Sequence, residues 1–256
     1  MLANRLNWRA ERFDKIPASQ FGFRNKKSCA DNVSILHSEI SNGSENSKAT
    51  AALFLDIQGA YDNVLCDFLV HRLKQLSIPP LILQFMFNLI NKRIVNVNFG
   101  SFNEVLTIYK GLPQGCVLSP ILYSLYVSKL DHSIKLIPFV NILQFADDVC
   151  IFSKSLDVDT ALDYLEEEAN HAANWFDSVG LSLAPQKSTL CVFSKNIKIR
   201  NSLYSISIQK SLIHTQKSVK FLGILFQNDL RWNAHVQSVK GSCQNALKII
   251  QYLRNT

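Results

Sequence analysis

Apolar residues in this chain recur at two spacings, and each spacing assigns elements. Leu2, Leu6, Trp8 and Phe13 fall near helical spacing, which predicts a first helix reaching Lys15 and ended by Pro17. Residues 20–24 read as a short extended segment. Val33, Leu36, His37 and Ile40 share one side of a helix expected from Ser28 to about Ser41, followed by a polar loop over 42–47. Residues 51–55 are apolar without alternation, which suits a strand buried on both faces, and the run ends in Asp56. Helices are expected over about 63–76 and from Pro79-Pro80 to about Asn91. Alternating Val95, Val97 and Phe99 open a hairpin over 93–110 that turns near Gly100-Ser101.

Beyond the loop Gly111-Leu112-Pro113-Gln114-Gly115, Ser119 and Pro120 form an N-cap and first-turn pair. The helix they open carries Leu122, Leu125, Tyr126 and Leu130. Strands over 141–145 and 149–152 flank Asp147-Asp148. An amphipathic helix spans about 157–179 and stops at Gly180. Short strands fill 190–226, and a last helix runs from about Ala234 to the end of the chain. The pattern is α+β, with acid-bearing strands packed on helices and one candidate boundary near Asn228.

Composition narrows the class. Hydrophobic residues make up 47% and charged residues 18% of 256 residues, enough for a packed core and too apolar for disorder. No apolar run approaches the ~18 residues that span a bilayer, and the start lacks a secretory stretch. The expectation is an intracellular protein of nucleus or cytoplasm with no membrane partner. Six scattered cysteines exclude a zinc ribbon or CxxC site and are expected mostly as buried thiols. Lys and Arg outnumber acids 27 to 20, a net +7 that favours phosphate backbones.

The acids matter against that basic background. Asp147-Asp148 sits at the tip of an apolar hairpin, which taken alone reads first as a plain β-turn, and Asp56 caps another apolar strand. If the strand ends converge, two carboxylates ~4 Å apart at an effective dielectric of ~20 repel by roughly 4 kcal/mol. Hard divalent cations relieve that repulsion, with Mg²⁺ the natural choice. Side chains alternate along a strand, so Asp147 and Asp148 point to opposite sides unless the turn rotates one. Asp147 is expected to be the stronger ligand, alongside Asp56.

Three blocks in order resemble motifs A, B and C of reverse transcriptases: Phe54-Leu55-Asp56-Ile57-Gln58-Gly59-Ala60-Tyr61-Asp62, Gly111-Leu112-Pro113-Gln114-Gly115 and Phe145-Ala146-Asp147-Asp148. Gly180-Leu181-Ser182-Leu183 with Lys187 resembles motif D, and Lys220-Phe221-Leu222-Gly223 the primer grip. Gln20-Phe21-Gly22-Phe23-Arg24 resembles the block that precedes the palm in retroelement enzymes. The wording is similar to jockey-like non-LTR retrotransposons over about residues 4–254. The resemblance implies RNA-directed DNA polymerase activity with two Mg²⁺ ions, Mn²⁺ substituting, on an RNA template, a DNA primer and dNTPs. It assigns metal to Asp56, Asp147, Asp148 and the Ile57 carbonyl, and the proton for departing pyrophosphate to Lys187. Ile57, Gln58, Gly59, Ala60, Tyr61, Gln114, Gly115 and Arg24 would line the nucleotide site, Tyr61 as the gate against a 2′-OH. Phe221, Leu222 and Gly223 would press on the primer end.

The same resemblance divides the chain into partial fingers (1–48), a palm (49–228) and an incomplete thumb helix (229–256), truncated at both ends. Two alternatives stay open: a catalytically silent palm that binds RNA or an RNA–DNA duplex, and a different two-metal enzyme on a palm-like fold.

Overall fold

The structure is a computed structural model that describes residues 1–134, 137 and 139–254. In chain order its helices and strands are α1 (Leu2–Arg12), α2 (Cys29–Glu45), β1 (Ala49–Leu55), α3 (Cys66–Gln75), α4 (Pro80–Ile90), β2 (Arg93–Phe99) and β3 (Phe102–Ile108). There follow α5 (Ser119–Tyr126), α6 (Leu130–Ile134), β4 (Val140–Phe145), β5 (Asp148–Ser155) and α7 (Val158–Ser178). The remainder comprises β6 (Thr189–Phe193), α8 (Ile197–Asn201), β7 (Ser205–Ile208), β8 (Ser211–His214), β9 (Ser218–Phe221), β10 (Ile224–Gln227) and α9 (Asn233–Arg254).

The centre is a four-stranded antiparallel sheet in the order β4-β5-β1-β6. All seven residues of β1 are buried, because helices or strands cover both of its faces. Ala51, Leu53 and Leu55 face a core shared with Leu165, Ala169, Ala172 and Phe176 of α7. Ala52 and Phe54 face a second core built with Leu36 and Ile40 of α2 and Val219, Phe221 and Phe226 of the β9–β10 hairpin. Continuous apolarity in 51–55 therefore marks a strand buried on both sides, as the sequence predicts. The α+β architecture also agrees with the sequence reading.

Several local expectations change. Helix α1 ends at Arg12, short of Lys15. Helix α2 begins as expected, with a Ser28–Asp31 capping box, but runs on to Glu45 through most of the expected polar loop. Packing overrides composition there: Gly43 and Ser44 are buried, and a Cβ on Gly43 would lie 2.7 Å from the Thr50 hydroxyl. Residues 20–24 are not extended; only Gln20 bridges to Gln144, and Phe23 turns the chain with φ +57°. Helix α3 starts at Cys66 rather than 63, since the preceding turn is stitched elsewhere. Ser119 is not an N-cap: the helix starts on it, and its hydroxyl donates to the Pro113 carbonyl at 2.6 Å. That helix ends at Tyr126, and Leu130 opens α6.

The β2–β3 hairpin turns at Gly100-Ser101 as expected, and nearly all of it is exposed. Gly180 follows α7 with φ +76°. Cys66, Cys150 and Cys191 are buried, whereas Cys29 and Cys243 are exposed and Cys116 is half-buried, so burial holds for fewer thiols than expected. Helix α9 starts one residue before Ala234, and the last two positions of the expected helix, 255 and 256, lie outside the described residues. Among the described residues no helix is long and apolar enough to cross a membrane.

Helix α7 is the main buttress of β1 and β5, and Leu165 at its centre is fully buried. Leu165→Ala should cost about 2–5 kcal/mol, read as a lowered urea midpoint at unchanged m-value. A midpoint shift below ~1 kcal/mol would show that α7 does not carry the sheet.

Candidate active site

Antiparallel pairing brings the distant acids together. The β1–β5 register ends with Leu55 opposite Val149. One residue further on the same register, Asp56 stands opposite Asp148. Period-2 alternation puts Asp56 on the face of Phe54, and Asp148 on the face of Cys150 and Phe152, which is the same face. These two acids line one cleft of about 250 Å³ with Val149, Lys187, Thr189, Lys220 and Phe221. Asp147 belongs to the other side: its charge acts on Tyr61 and Tyr123, whose rings lie at the first core. On strand faces Asp148 is the neighbour of Asp56, and Asp147, in the turn just before it, also acts on Asp148 through its charge.

The hairpin tip has two loop residues, because Phe145 pairs with Asp148. Ala146, the first of them, sits at φ +57° and is buried. A non-glycine residue there is strained and persists only when its surroundings hold it.

Electrostatics agrees with convergence. Burial, then the charges of Asp147 and Asp56, push the Asp148 carboxyl above the usual carboxylate range. Lys187 Nζ lies 4.0 Å from Asp56 Oδ2, with both side chains substantially exposed. Its position follows from a tight turn in which the Lys187 and Ser188 amides both donate to the Ala184 carbonyl at 3.0 Å. The Ser188 hydroxyl in turn accepts the Asp56 amide at 3.2 Å.

The strand that ends in Asp56 continues alongside residues 182–184. The Ala184 amide donates to the Asp56 carbonyl at 2.8 Å and the Gln58 amide to the Ser182 carbonyl at 2.9 Å. Ile57 is the bridging residue between them, so its own carbonyl points away from that segment. Past Gly59, at φ +53°, the chain turns, and the Tyr61 and Val64 carbonyls accept from the Leu112 and Gly111 amides at 2.8 and 2.7 Å. A Cβ on Gly111 would lie 2.7 Å from the Asp62 backbone, so this close approach requires glycine. Gln114 is exposed, with its amide 3.2 Å from Asp62 Oδ1, and Gly115 beside it has open space.

Tyr61 stacks on Tyr123 with ring centroids 4.7 Å apart and planes within 18°. Burial first, then Asp147, pushes its phenol up to about 12, so the ring is neutral at any working pH. Phe221 packs on Phe54 at 5.2 Å, and Leu222-Gly223 form the tip of the β9–β10 hairpin, both at positive φ.

Arg24 stands apart from this group. Its guanidinium forms four hydrogen bonds, two to the Glu11 carboxylate and one each to the Pro17 and Gln20 carbonyls. With one of five N–H groups left, it holds the loop, and the expected template or nucleotide contact has little donor capacity to draw on.

The donor set suits a hard divalent cation: carboxylate oxygens, a free backbone carbonyl and a repulsion in need of neutralisation. As placed, no three His, Cys, Asp or Glu side chains among the described residues close on one ion position. One oxygen of Asp56, Oδ2, lies 4.0 Å from the Lys187 ammonium. The residues missed by sequence reasoning are Gln20, Ser188 and Tyr123, which hold the site without facing substrate. Gln20 was visible inside a recognised block, whereas nothing in the local sequence marks Ser188 or Tyr123.

The raised Asp148 carboxyl has a stability consequence. A carboxyl raised in the folded state binds its proton more tightly than in the unfolded chain, so stability falls as pH rises from ~4 through the folded value. In chelator at neutral pH, Asp148→Asn should therefore melt higher than the unsubstituted chain, by a margin that solvent screening of this exposed carboxyl keeps small. The gap should close below about pH 4 and narrow when Mg²⁺ is added. A lower melting temperature for the variant at neutral pH would show that Asp148 is not under repulsion.

Known proteins share both this sequence and this architecture. A family model for reverse transcriptase (RNA-dependent DNA polymerase) matches residues 1–226. The RNA-directed DNA polymerases from mobile element jockey are 24% identical in Drosophila melanogaster and 26% in Drosophila funebris, each over 99% of this chain. The probable RNA-directed DNA polymerase from transposon BS of Drosophila melanogaster is 26% identical over 100% of it. The chain spans 28% of the length of each of these relatives. Among solved structures, apo telomerase from Candida tropicalis superposes with a TM-score of 0.63 at 13% identity, over 89% of this chain and 39% of that one. Telomerase from Candida albicans, in complex with a TWJ fragment of telomeric RNA, gives 0.51 at 13% identity, over 89% and 36%. At such identity these structures speak for the fold alone, and it is the sequence match across most of its length that decides the matter: the chain belongs to the reverse transcriptase (RNA-dependent DNA polymerase) family.

Proposed function

We propose that this chain performs RNA-directed DNA synthesis for a non-LTR retroelement, adding dNTPs to a primer 3′-hydroxyl on an RNA template. One observation carries the reading: the register sets Asp56 opposite Asp148 at the mouth of a cleft that also holds Lys187 and Phe221. The Asp56, Asp147 and Asp148 carboxylates and the Ile57 carbonyl would hold two Mg²⁺ or Mn²⁺ ions. Bound there, such ions activate the attacking hydroxyl and neutralise charge on the leaving pyrophosphate.

The chain's own residues account for the rest. Phe221, Leu222 and Gly223 form a hairpin tip against Phe54 that would seat the primer end over the acids. Tyr61, held flat on Tyr123, presents a ring that a ribose 2′-OH would strike. Gln114 and Gly115 offer an exposed amide and uncrowded backbone to the nucleotide, beside Gln58, Gly59 and Ala60. Lys187, exposed and within 4.0 Å of Asp56, would give its proton to the departing pyrophosphate. Lys220 adds a second cation to the cleft and favours phosphate there. The domain division follows the same logic, with the palm over 49–228, partial fingers before it and the first thumb helix after it. Its place of action would be the nucleus or cytoplasm, where template and dNTPs meet.

Mg²⁺- or Mn²⁺-dependent extension on poly(rA)/oligo(dT) tests the reading. Asp56→Asn and Asp147→Asn should each lower extension by about 10²–10³-fold at unchanged melting behaviour. Extension at the unsubstituted rate in either variant would remove that acid from the site. Tyr61→Ala should raise ribonucleotide incorporation relative to dNTP, and unchanged discrimination would end its assignment as the gate.

A further inference from the structure

We infer that Gln20 is a positioning residue for the catalytic acids, a side-chain clamp that fixes the peptide preceding Asp147. This rests on the polymerase reading and adds a residue to it.

A two-residue hairpin loop leaves its first residue outside the strand ladder, so the N–H and C=O of Ala146 need other partners. Both are met by one amide. Gln20 Oε1 accepts the Ala146 N–H at 2.9 Å, and Gln20 Nε2 donates to the Ala146 carbonyl at 3.2 Å. The same Oε1 accepts the Gly22 amide at 2.8 Å, which fixes the orientation of the glutamine head group. Gln20 is fully buried, so water does not compete.

The clamp is itself anchored. The Gln144 amide donates to the Ser19 carbonyl, and the Phe21 amide to the Gln144 carbonyl, each at 2.8 Å, laying residues 19–21 along the free edge of β4. Beneath lies a buried polar cluster, in which Gln144 Nε2 donates to the Ser19 hydroxyl at 2.9 Å and to Asp131 at 2.6 Å. Asn32 Nδ2 donates to the Gln144 carbonyl at 3.0 Å. Gly22 has no room for a side chain, since a Cβ would lie 2.3 Å from the Ala146 nitrogen. Arg24 ties the far side of the loop back to the Gln20 carbonyl and to Glu11.

Geometry gives this clamp its purpose. Ala146 is held at φ +57°, and Asp147 hangs from the next peptide, so a rotation of that peptide swings Asp147 away from Asp56 and Asp148. A lone buried glutamine that merely filled the core would not need to grip both polar groups of the strained residue. Partners of this kind behind metal-binding side chains change metal affinity by about 10–100-fold when removed.

Mn²⁺ binding by the 256-residue chain, followed by electron paramagnetic resonance, tests this together with amide hydrogen exchange at Ala146. Gln20→Met keeps length and removes both hydrogen bonds. It should weaken Mn²⁺ by about tenfold or more and speed exchange at Ala146, while Leu53 and Ile151 in the sheet keep their rates. Leu165→Ala serves as the control, since it destabilises the fold far from the tip and should leave Mn²⁺ affinity within about twofold. Unchanged Mn²⁺ affinity in a folded Gln20→Met chain overturns the inference. If that variant does not fold, Gln20→Asn, which is one methylene short of Ala146, is read in its place. Exchange in the unsubstituted chain stands apart from metal and from any variant. A protected Ala146 amide supports the clamp, and exchange at the unprotected rate sinks it. Failure of the unsubstituted chain to bind Mn²⁺ would instead count against the polymerase reading, leaving the clamp to be decided by exchange at Ala146.

Discussion

Two carboxylates meet at the ends of neighbouring strands because a two-sided apolar core fixes the strand register. Within β1 alone, Leu53, Phe54 and Leu55 are buried, at roughly 1.5–3 kcal/mol each. Summed over the three, that exceeds the ~4 kcal/mol by which two carboxylates ~4 Å apart repel. A slip of one residue would relieve Asp56 and Asp148, but it would also turn every side chain of β1 to the wrong core. With Leu36 and Phe221 on one side and Leu165 and Phe176 on the other, no such slip is cheap. The unfavourable charge arrangement persists because apolar packing, which is indifferent to charge, outweighs it.

Strain is distributed in the same way. Both hairpin tips that face the cleft carry a non-glycine residue in the left-handed region, Ala146 at φ +57° and Leu222 at φ +47°. Each such residue costs about 1–3 kcal/mol. At Ala146 the cost is offset by the Gln20 amide, and at Leu222 by a φ-tolerant Gly223 beside it and packing against the second core. At the β4–β5 tip, which has no glycine, the Ala146 side chain keeps the turn from exploring the wide range that glycine allows.

How much of this was legible depends on the range of the interaction concerned. Period and run length revealed β1, the β4–β5 hairpin and α7, because each is specified by its own residues. The three acids were legible as a set only through the ordered blocks around them. What sequence hid was tertiary. The polar run after Ser41 is helical because Gly43 and Ser44 are buried near β1, a contact with no local signature. Ser119 resembles an N-cap, yet the Pro113 carbonyl claims its hydroxyl. That Asp56 and Asp148 share a strand face needed the β1–β5 register, which no local stretch of sequence specifies. Arg24 was read as a template or nucleotide contact only through the resemblance of its block; its partner Glu11 lies thirteen positions away on α1.

The separation between core and site also explains why fold likeness and functional likeness carry such different weight. Superposition on telomerase holds at 13% identity, since many apolar side chains of similar volume can fill two layers around one sheet. The proposed chemistry would tolerate no such exchange, for it would need carboxylates at particular strand ends, a flat ring at Tyr61 and a cation at Lys187. These groups cannot be buried as the core is. Lys187 is 73% exposed and Asp56 43%, so both stand open to solvent. A site so open gains little rigidity from packing and must be stiffened from behind, by backbone ladders at Ile57, a stacked ring beneath Tyr61 and an amide gripping Ala146. The buried polar residues behind the acids, rather than further apolar surface, therefore convert a stable sheet into one that holds its acids in place.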